Sequence, residues 1–429
     1  MSREATAERS VLVGAPPADM SQSLVDEHLE ELGRLADTAG AEVVGVVVQR
    51  LRSPNASTYI GRGKIEQIKR LMAESDATLA IFDEELSPAQ GSNLESALGA
   101  RVIDRTELIL DIFALRARTS EAKLQVELAQ LYYMRPRLKR MWTHLSRIAG
   151  GIGARGPGEQ QIETDRRLID RRIARLGRQL EQISRSRGTQ RKSRDEQFKV
   201  ALVGYTNAGK SSILKALTGS DVFIEDRLFA TLDSATRVCD LGQGIQVLMT
   251  DTVGFIRKLP HHLVASFRAT LEEVVEADLL LHVIDASSPS WEEQREAVED
   301  VLREAGAGDR PTMLVLNKID RLTHAEEAAI RDRGDGMLAP HVFSSVIEEA
   351  GLDDLKDALR GAVRATLETV RVTVPAADGR TLAEAYREGE VLDQEVVSGN
   401  VVFTARVPFA VAGKWRLTAD VVVEATDAA

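Results

Sequence analysis

A buried-strand pattern, Phe198–Val203, runs straight into Gly204-Tyr205-Thr206-Asn207-Ala208-Gly209-Lys210-Ser211, and a stretch with Ile213, Leu214 and Leu217 at helical spacing follows. A G-x-x-x-x-G-K-S loop between a strand and a helix is a phosphate cradle. Its glycines let backbone N–H groups turn inward, so Gly204, Asn207, Ala208 and Gly209 are expected to line the phosphates. Lys210 supplies a point charge to the β and γ phosphates, and Ser211, followed by Ser212, offers its hydroxyl to Mg2+. The helix start adds a partial positive charge. A plain glycine turn is the competing reading, and the strand–loop–helix context argues against it.

That loop alone does not separate GTP from ATP. Asn317-Lys318-Ile319-Asp320, behind the strand Met313–Leu316, does. Asp320 can accept from guanine N1–H and N2–H2, a donor pair that adenine lacks, and a desolvated carboxylate left unpaired is costly. The Lys318 stem can pack along the base, and Asn317 can tie the loop. Asp251-Thr252-Val253-Gly254 follows the strand Gln246–Met249. Asp251 is expected to hold a magnesium-bound water, and the Gly254 amide to sense the γ-phosphate. Between these motifs, Phe229-Ala230-Thr231-Leu232-Asp233 supplies Thr231 as the switch threonine, with Phe229 beside the nucleotide. Ser344-Ser345-Val346, after the strand Pro340–Phe343, is the candidate for the last base contact, through backbone amides. Lys210, Thr231 and Gly254 are the expected catalytic groups, and GTP, GDP and Mg2+ the expected ligands.

The residue after Gly254 is Phe255. Ras-like switches carry a water-orienting glutamine there, and an apolar side chain cannot orient an attacking water. Slow intrinsic hydrolysis is expected, accelerated by something bound outside the nucleotide site. The Asn207 amide oxygen suggests a further device, a K+ ion held against the phosphates in place of an arginine finger.

The chain that must position these groups has 429 residues, enough for about three domains of ~150 residues. Strands at Val11–Gly14, Glu42–Gln49, Leu79–Asp83 and Arg101–Ile103 alternate with helices at Ser21–Thr38, Lys64–Glu74 and Ser87–Leu98, which argues for a small parallel α/β domain over residues 1–105. Over residues 106–194, Leu124, Leu128, Leu131 and Leu138 keep helical spacing, and Ile162, Ile169, Ile173, Leu176, Leu180 and Ile183 form a coiled-coil seam. The glycine-rich Ala149–Glu159 between them cannot continue a helix. A long antiparallel helical hairpin with a glycine-rich tip is the simplest model, with Ser184–Arg194 as a polar, basic linker. A larger α/β domain carrying the phosphate loop covers 195–369. Residues 370–429 read as a small α+β domain, with a strand (Val370–Val374), a helix (Thr381–Glu388) and a hairpin around Ser398-Gly399-Asn400.

The single cysteine, Cys239, reads as a small strand residue and allows no internal disulfide, which fits a reducing compartment. No apolar run approaches the ~20 residues that span a bilayer, and Met1–Ser10 carries charges of both signs without an apolar core, so a cytoplasmic protein is expected. The net charge of −11 hides an asymmetry: Arg135–Arg194 holds 17 Lys/Arg against 5 Asp/Glu, a local +12 that leaves −23 for the rest. An acidic chain with one concentrated basic segment has a directed positive surface, suited to phosphate-rich RNA. A solvated, arginine-rich helical face is the alternative.

Several stretches carry a resemblance to a known family. They are Tyr59–Ile65, Asp83–Gln90, Val102–Thr106, Gly153–Glu159 with Glu163–Arg167, and Asp251–Glu272 with Phe255-Ile256-Arg257-Lys258-Leu259-Pro260. Over nearly its full length the sequence resembles the HflX-type ribosome-associated GTPases of the Obg/HflX-like P-loop class. The resemblance implies docking on the 50S subunit and its 23S rRNA, with the N-terminal and helical parts reaching toward the peptidyl-transferase region. Some members split stalled or idle 70S ribosomes. Arg155, Gly156, Arg166 and Arg167 become the candidate RNA contacts, because arginine clamps phosphate bidentately and glycine permits close backbone approach. A monomer without a DNA partner is expected. The chain departs from the family at Ser344-Ser345-Val346, where Ser-Ala-Lys is usual; loss of the lysine would weaken the guanine pocket. Ser212 replaces a common threonine. Some relatives are also reported to use ATP through the N-terminal domain, where Gly61-Arg62-Gly63-Lys64 is the tempting site, although a strand-to-helix turn with a basic helix start explains it more simply.

The expected function is therefore a 50S-docking GTPase that dissociates or rescues stalled or idle 70S ribosomes. The rivals are a GTPase acting on another RNA or an assembly intermediate, a non-catalytic nucleotide-binding scaffold, and an ATP-assisted RNA remodeller.

Overall fold

Short apolar runs form the first sheet. Strands β1 (Glu8–Gly14), β2 (Ala41–Val48), β3 (Leu79–Phe82) and β4 (Arg101–Asp104) pair in parallel in the order β2-β1-β3-β4. This computed structural model describes residues 7–138, 157–191, 197–219, 228–243, 245–258, 268–335, 339–348 and 350–425. Local caps set the helix starts. The Ser21 hydroxyl accepts from Leu24 N–H at the head of α1 (Gln22–Thr38). Helix α2 spans Arg62–Glu74, and a Ser87/Gln90 capping box with Pro88 in the first turn opens α3 (Pro88–Leu98). β4 then passes directly into α4 (Arg105–Arg116), capped by the Asp104 carboxylate. No linker marks residue 105: Leu108, Ile109 and Ile112 of α4 share a core with Leu32 and Leu35 of α1.

Helix α5 (Ser120–Met134) begins at Thr119, and α6 spans Pro157–Arg191. Arg135 pairs with Asp170 at 2.7 Å and Arg172 with Glu127 at 2.6 Å, so partners descend along α6 as they ascend along α5 and the two helices run antiparallel. Leu176 of the expected seam is fully buried. The tip up to Gly156, with Arg155, and the Ile162 side chain lie outside the described residues, while Pro157, Gly158 and Glu159, expected in the tip, instead open α6, where a first-turn proline is tolerated. The expected linker from Ser184 needs correction: α6 continues as helix to Arg191. The stretch has no proline and a single glycine, and its arginines and glutamine are good helix formers.

The second sheet has six strands, β5 (Lys199–Gly204), β6 (Ala235–Asp240), β7 (Gln246–Asp251), β8 (Leu279–Asp285), β9 (Thr312–Asn317) and β10 (His341–Ser344), in the order β10-β9-β8-β5-β7-β6. All neighbours are parallel except β6 and β7. Helix α7 (Lys210–Thr218) follows β5, and α8 (Arg268–Val275), α9 (Trp291–Glu304), α10 (His324–Asp335) and α11 (Asp353–Ala365) complete the layers. This is an α/β architecture with the phosphate-loop sequence directly after its first strand, and a second α/β sheet precedes it. Cys239 is a buried, free cysteine in β6.

An antiparallel sheet, β12-β13-β11-β14, ends the described chain: β11 (Leu367–Pro375), β12 (Glu390–Val397), β13 (Asn400–Pro408) and β14 (Val422–Ala425), with α12 (Gly379–Glu388) and α13 (Phe409–Arg416). Val370, Val372, Phe403 and Trp415 form its core.

One apolar cluster crosses from the first sheet to the second. It runs from Leu12 and Ile81 through Phe113, Val126 and Tyr133 to Leu228, Phe229, Leu232 and Phe255. The first sheet is thereby packed against the loops that carry Thr231 and Gly254. Among the described residues, no helix is long and apolar enough to cross a membrane.

Candidate nucleotide site

The motifs meet at the carboxyl ends of β5, β7, β9 and β10, where open α/β sheets take ligands. Gly209 has φ +105° at the start of α7, and a Cβ there would lie 2.2 Å from Asn317 Nδ2, so glycine is required on both counts. Lys210 is buried with its Nζ donating to the Gly204 and Tyr205 carbonyls at 3.0 and 2.7 Å. Burial pulls its pKa down to about 8. The same burial pushes the Asp251 carboxyl up. The two charges attract each other, but burial outweighs that attraction for both, so a bound anion would favour charged Lys210 and a bound cation charged Asp251.

Ser211 Oγ donates to Asp251 Oδ2 at 2.6 Å and shares a 2.8 Å hydrogen bond with Thr231 Oγ1. Asp251 Oδ1 is buried without a hydrogen-bond partner among the described residues. Converging hydroxyl and carboxylate oxygens with spare acceptor capacity suit a hard dication such as Mg2+. Thr231, 20 residues from Ser211, already lies against this cluster.

The segment after Asp251 is fastened to the phosphate loop. Thr206 N–H donates to the Phe255 carbonyl at 2.7 Å, and Phe255 N–H to the Gly204 carbonyl at 3.1 Å. A Cβ on Gly254 would stand 2.8 Å from Thr206 Cα and 3.1 Å from Lys210 Nζ, so only glycine permits this approach. The Phe255 ring is buried in the apolar cluster. Phe229 N–H donates to Thr206 Oγ1 at 3.0 Å, while its ring packs against Phe113. Phe229 thus borders the cleft with its main chain and anchors it with its side chain. Thr206, Asn207, Gly209, Lys210, Ser211, Ser212, Ala230, Thr231 and Gly254 line the same cleft.

Around the Asn317–Asp320 motif, Asn317 Nδ2 donates to the Ala208 carbonyl at 2.9 Å and Asn317 Oδ1 accepts from Ser344 Oγ at 3.2 Å. Ser345 Oγ donates to Asp320 Oδ1 at 2.6 Å, bracing the carboxylate by a side-chain contact. Val346 packs on the neighbouring apolar cluster. Lys318 Nζ donates to the Asn207 carbonyl at 2.7 Å and to Asp285 Oδ2 at 2.6 Å.

Asp285 was not among the sequence candidates. Its place at the end of the apolar run Leu279–Ile284 was the available signal, because parallel strands present functional groups at their carboxyl ends. Asp233, which accepts from Thr119 N–H at 3.3 Å, and Tyr205 were also missed, and no spacing marked them. Arg166 and Arg167 are exposed on α6, the latter paired with Glu163 at 3.2 Å. Gly61 caps α2, with its N–H donated to Gln49 Oε1 at 3.0 Å, and Lys64 Nζ donates to Gln67 at 2.9 Å.

Three family models match the chain. They are described as GTP-binding GTPase N-terminal (residues 26–114), GTP-binding GTPase Middle Region (residues 116–194) and 50S ribosome-binding GTPase (residues 199–318). The GTPase HflX of Magnetococcus marinus is 45% identical over 417 residues, 96% of this chain and 95% of that protein. The chain belongs to the GTPase HflX family. The Escherichia coli GTPase HflX is 43% identical over 396 residues, 91% of each chain. Among solved structures, a GTP-binding protein from Sulfolobus solfataricus in complex with GDP is 26% identical, with a TM-score of 0.44 and coverage of 83% of this chain and 99% of that one. As a member of the HflX family, the chain binds guanine nucleotide and hydrolyses GTP.

Proposed function

We propose that this HflX-family chain is a ribosome-dependent GTPase. It docks on the large (50S) subunit, contacts 23S rRNA, and dissociates or rescues stalled or idle 70S ribosomes, with hydrolysis stimulated by the particle. Phe255 carries the reading. Ser211, Thr231 and Asp251 converge as a triphosphate site requires, yet the side chain after Gly254 is a ring buried in the apolar cluster. Such a site binds and closes but does not orient its own water. The missing group is then supplied or ordered by a partner. The ribosome is favoured by the match of residues 199–318 to a family model described as a 50S ribosome-binding GTPase, and by the arginine-rich face of α6.

In this reading Lys210 neutralises the β and γ oxygens, and Gly254 and Thr231 close on the γ-phosphate. Ser211 and Thr231 would hold Mg2+ directly and Asp251 through water, and when bound the ion would supply charge withdrawal from the β and γ oxygens. The Asn207 amide oxygen assists a K+ ion at the phosphate loop. Gly204, Ala208, Gly209 and Ser212 cradle phosphate, Asn317, Lys318 and Asp320 read guanine, and the Ser344–Val346 segment completes that pocket. Arg155, Gly156, Arg166 and Arg167 contact RNA. The units act as residues 1–105, 106–194, 195–369 and 370–429 of a cytoplasmic monomer.

GTP turnover measured with 50S subunits, 70S ribosomes and protein-free RNA tests this, alongside sedimentation of 70S particles. Stimulation by 50S with conversion of 70S to subunits is expected. Stimulation by free RNA alone transfers the function to another RNA, and equal turnover in potassium and sodium buffers removes the K+ ion.

A further inference from the structure

Arg257, three residues beyond Gly254, is gripped at three points. Its N–H donates to Tyr205 Oη at 2.8 Å. Its carbonyl accepts from Arg105 Nε at 3.2 Å. Its Nη2 donates to both Asp83 oxygens, at 3.1 and 3.0 Å. The grips are themselves joined: Tyr205 Oη donates to the Glu31 carboxylate, and Arg105, 2% exposed, bonds both Glu31 and Asp83. Glu31, Asp83 and Arg105 come from α1, the end of β3 and the start of α4, so the first sheet's layer holds a residue of the γ-phosphate-sensing segment through a buried ring of charges.

Nothing in phosphate or guanine recognition calls for this ring. Its effect is on order. Gly254 can reach a γ-phosphate only while its peptide faces the phosphate loop, and the Phe255 bridge and Arg257 fix that orientation in advance. A diphosphate offers Gly254 nothing, so it gains nothing from the order. Ordering one segment beforehand favours only the ligand that uses it.

We propose that Tyr205, with Glu31 and Arg105 behind it, is a positioning residue that sets the preference for GTP over GDP. This rests on Gly254 sensing the γ-phosphate, and it holds whichever particle stimulates turnover. Linkage makes the effect reciprocal: a bound triphosphate tightens the ring, and slows hydrogen exchange at Arg257 and along α1.

The test uses the full chain with GDP and a non-hydrolysable GTP analogue as probes. Tyr205→Phe keeps the ring and removes only the hydroxyl. The analogue-to-GDP affinity ratio is expected to fall about tenfold, the worth of one well-placed hydrogen bond, with GDP affinity unchanged. Glu31→Gln, which retains an acceptor for Tyr205, is expected to lower the ratio less. Gly254→Ala is the control for sensing itself. An unchanged ratio in Tyr205→Phe with a lowered one in Gly254→Ala overturns the inference and leaves the site reading standing. An unchanged ratio in both overturns both. Equal loss of GDP and analogue affinity, with a lowered Tm, marks a merely structural hydroxyl and also overturns it.

Discussion

The Phe113 ring of α4 meets the Phe229 ring edge-on, with centroids 4.6 Å apart and planes at 86°. Phe229 lies two residues before Thr231, so an aromatic pair set by the first sheet's layer anchors the loop that carries the proposed switch threonine. Both rings are almost wholly buried. Phe113→Ala should cost about 3–5 kcal/mol of unfolding free energy, from lost apolar burial and the cavity left behind. Denaturant titration measures it, and a loss under about 1 kcal/mol would show that the site relaxes without the ring.

In the proposed reading, base selection depends on a braced carboxylate. Asp320 takes a hydrogen bond from Ser345 on one oxygen. Asp320→Asn replaces an acceptor with a donor opposite guanine N1–H. GTP affinity should fall at least ~100-fold, as two charge-assisted bonds are lost, with xanthosine triphosphate bound better than before. Competition binding decides between this outcome and an unchanged GTP affinity, which would place base recognition elsewhere.

Much of this site was legible before the structure. Gly204–Ser211, Asp251–Gly254 and Asn317–Asp320 declare themselves because chemistry demands particular residues at fixed spacing along one strand–loop–helix unit. The sheet and helix alternation was equally plain. What joins the two halves was not. Glu31, Asp83 and Arg105 are scattered over 74 residues and meet Arg257 another 152 residues on, through packing that no local pattern encodes. The helix through Arg191 was misread as a linker because polarity was taken for irregularity, when a long helix packed along one stripe tolerates polar residues elsewhere. Helix α13 and strand β14 are short, and their periodicity is too brief to see.

The oxygen cluster makes a metal prediction. Chelation of divalent cations should abolish GTP turnover, and Ser211→Ala should weaken Mg2+-dependent GTP binding by about tenfold or more, leaving Mg2+-independent GDP binding little changed. Titration of Mg2+ against nucleotide binding checks both. A Ser211→Ala protein with an unaltered Mg2+ requirement would remove that hydroxyl from the metal site.

Acid stability carries a signature of β8. His282 is fully buried there, and burial, then Arg295 and Lys210, lower its pKa from 6.5 to about 3. Between those values the unfolded chain binds a proton that the native chain refuses. Stability is therefore complete above pH 6.5 and is lost as pH falls toward 3, at up to about 1.4 kcal/mol per unit from this residue. His28, partly buried and lowered to about 4 mainly by burial, acts in the same direction with a smaller, solvent-screened effect. Urea unfolding between about pH 4.5 and 7 should show the slope, and His282→Leu should flatten it by nearly one proton. An unchanged slope in that variant would mean that other groups govern acid unfolding.

Dependence on the ribosome is tested most directly by steady-state GTP hydrolysis with and without purified 50S subunits. Slow turnover of the free chain and stimulation of at least ~100-fold by 50S are expected, because Phe255 leaves the attacking water without a side chain to orient it. Fast turnover of the free chain, or background turnover with 50S present, would contradict it.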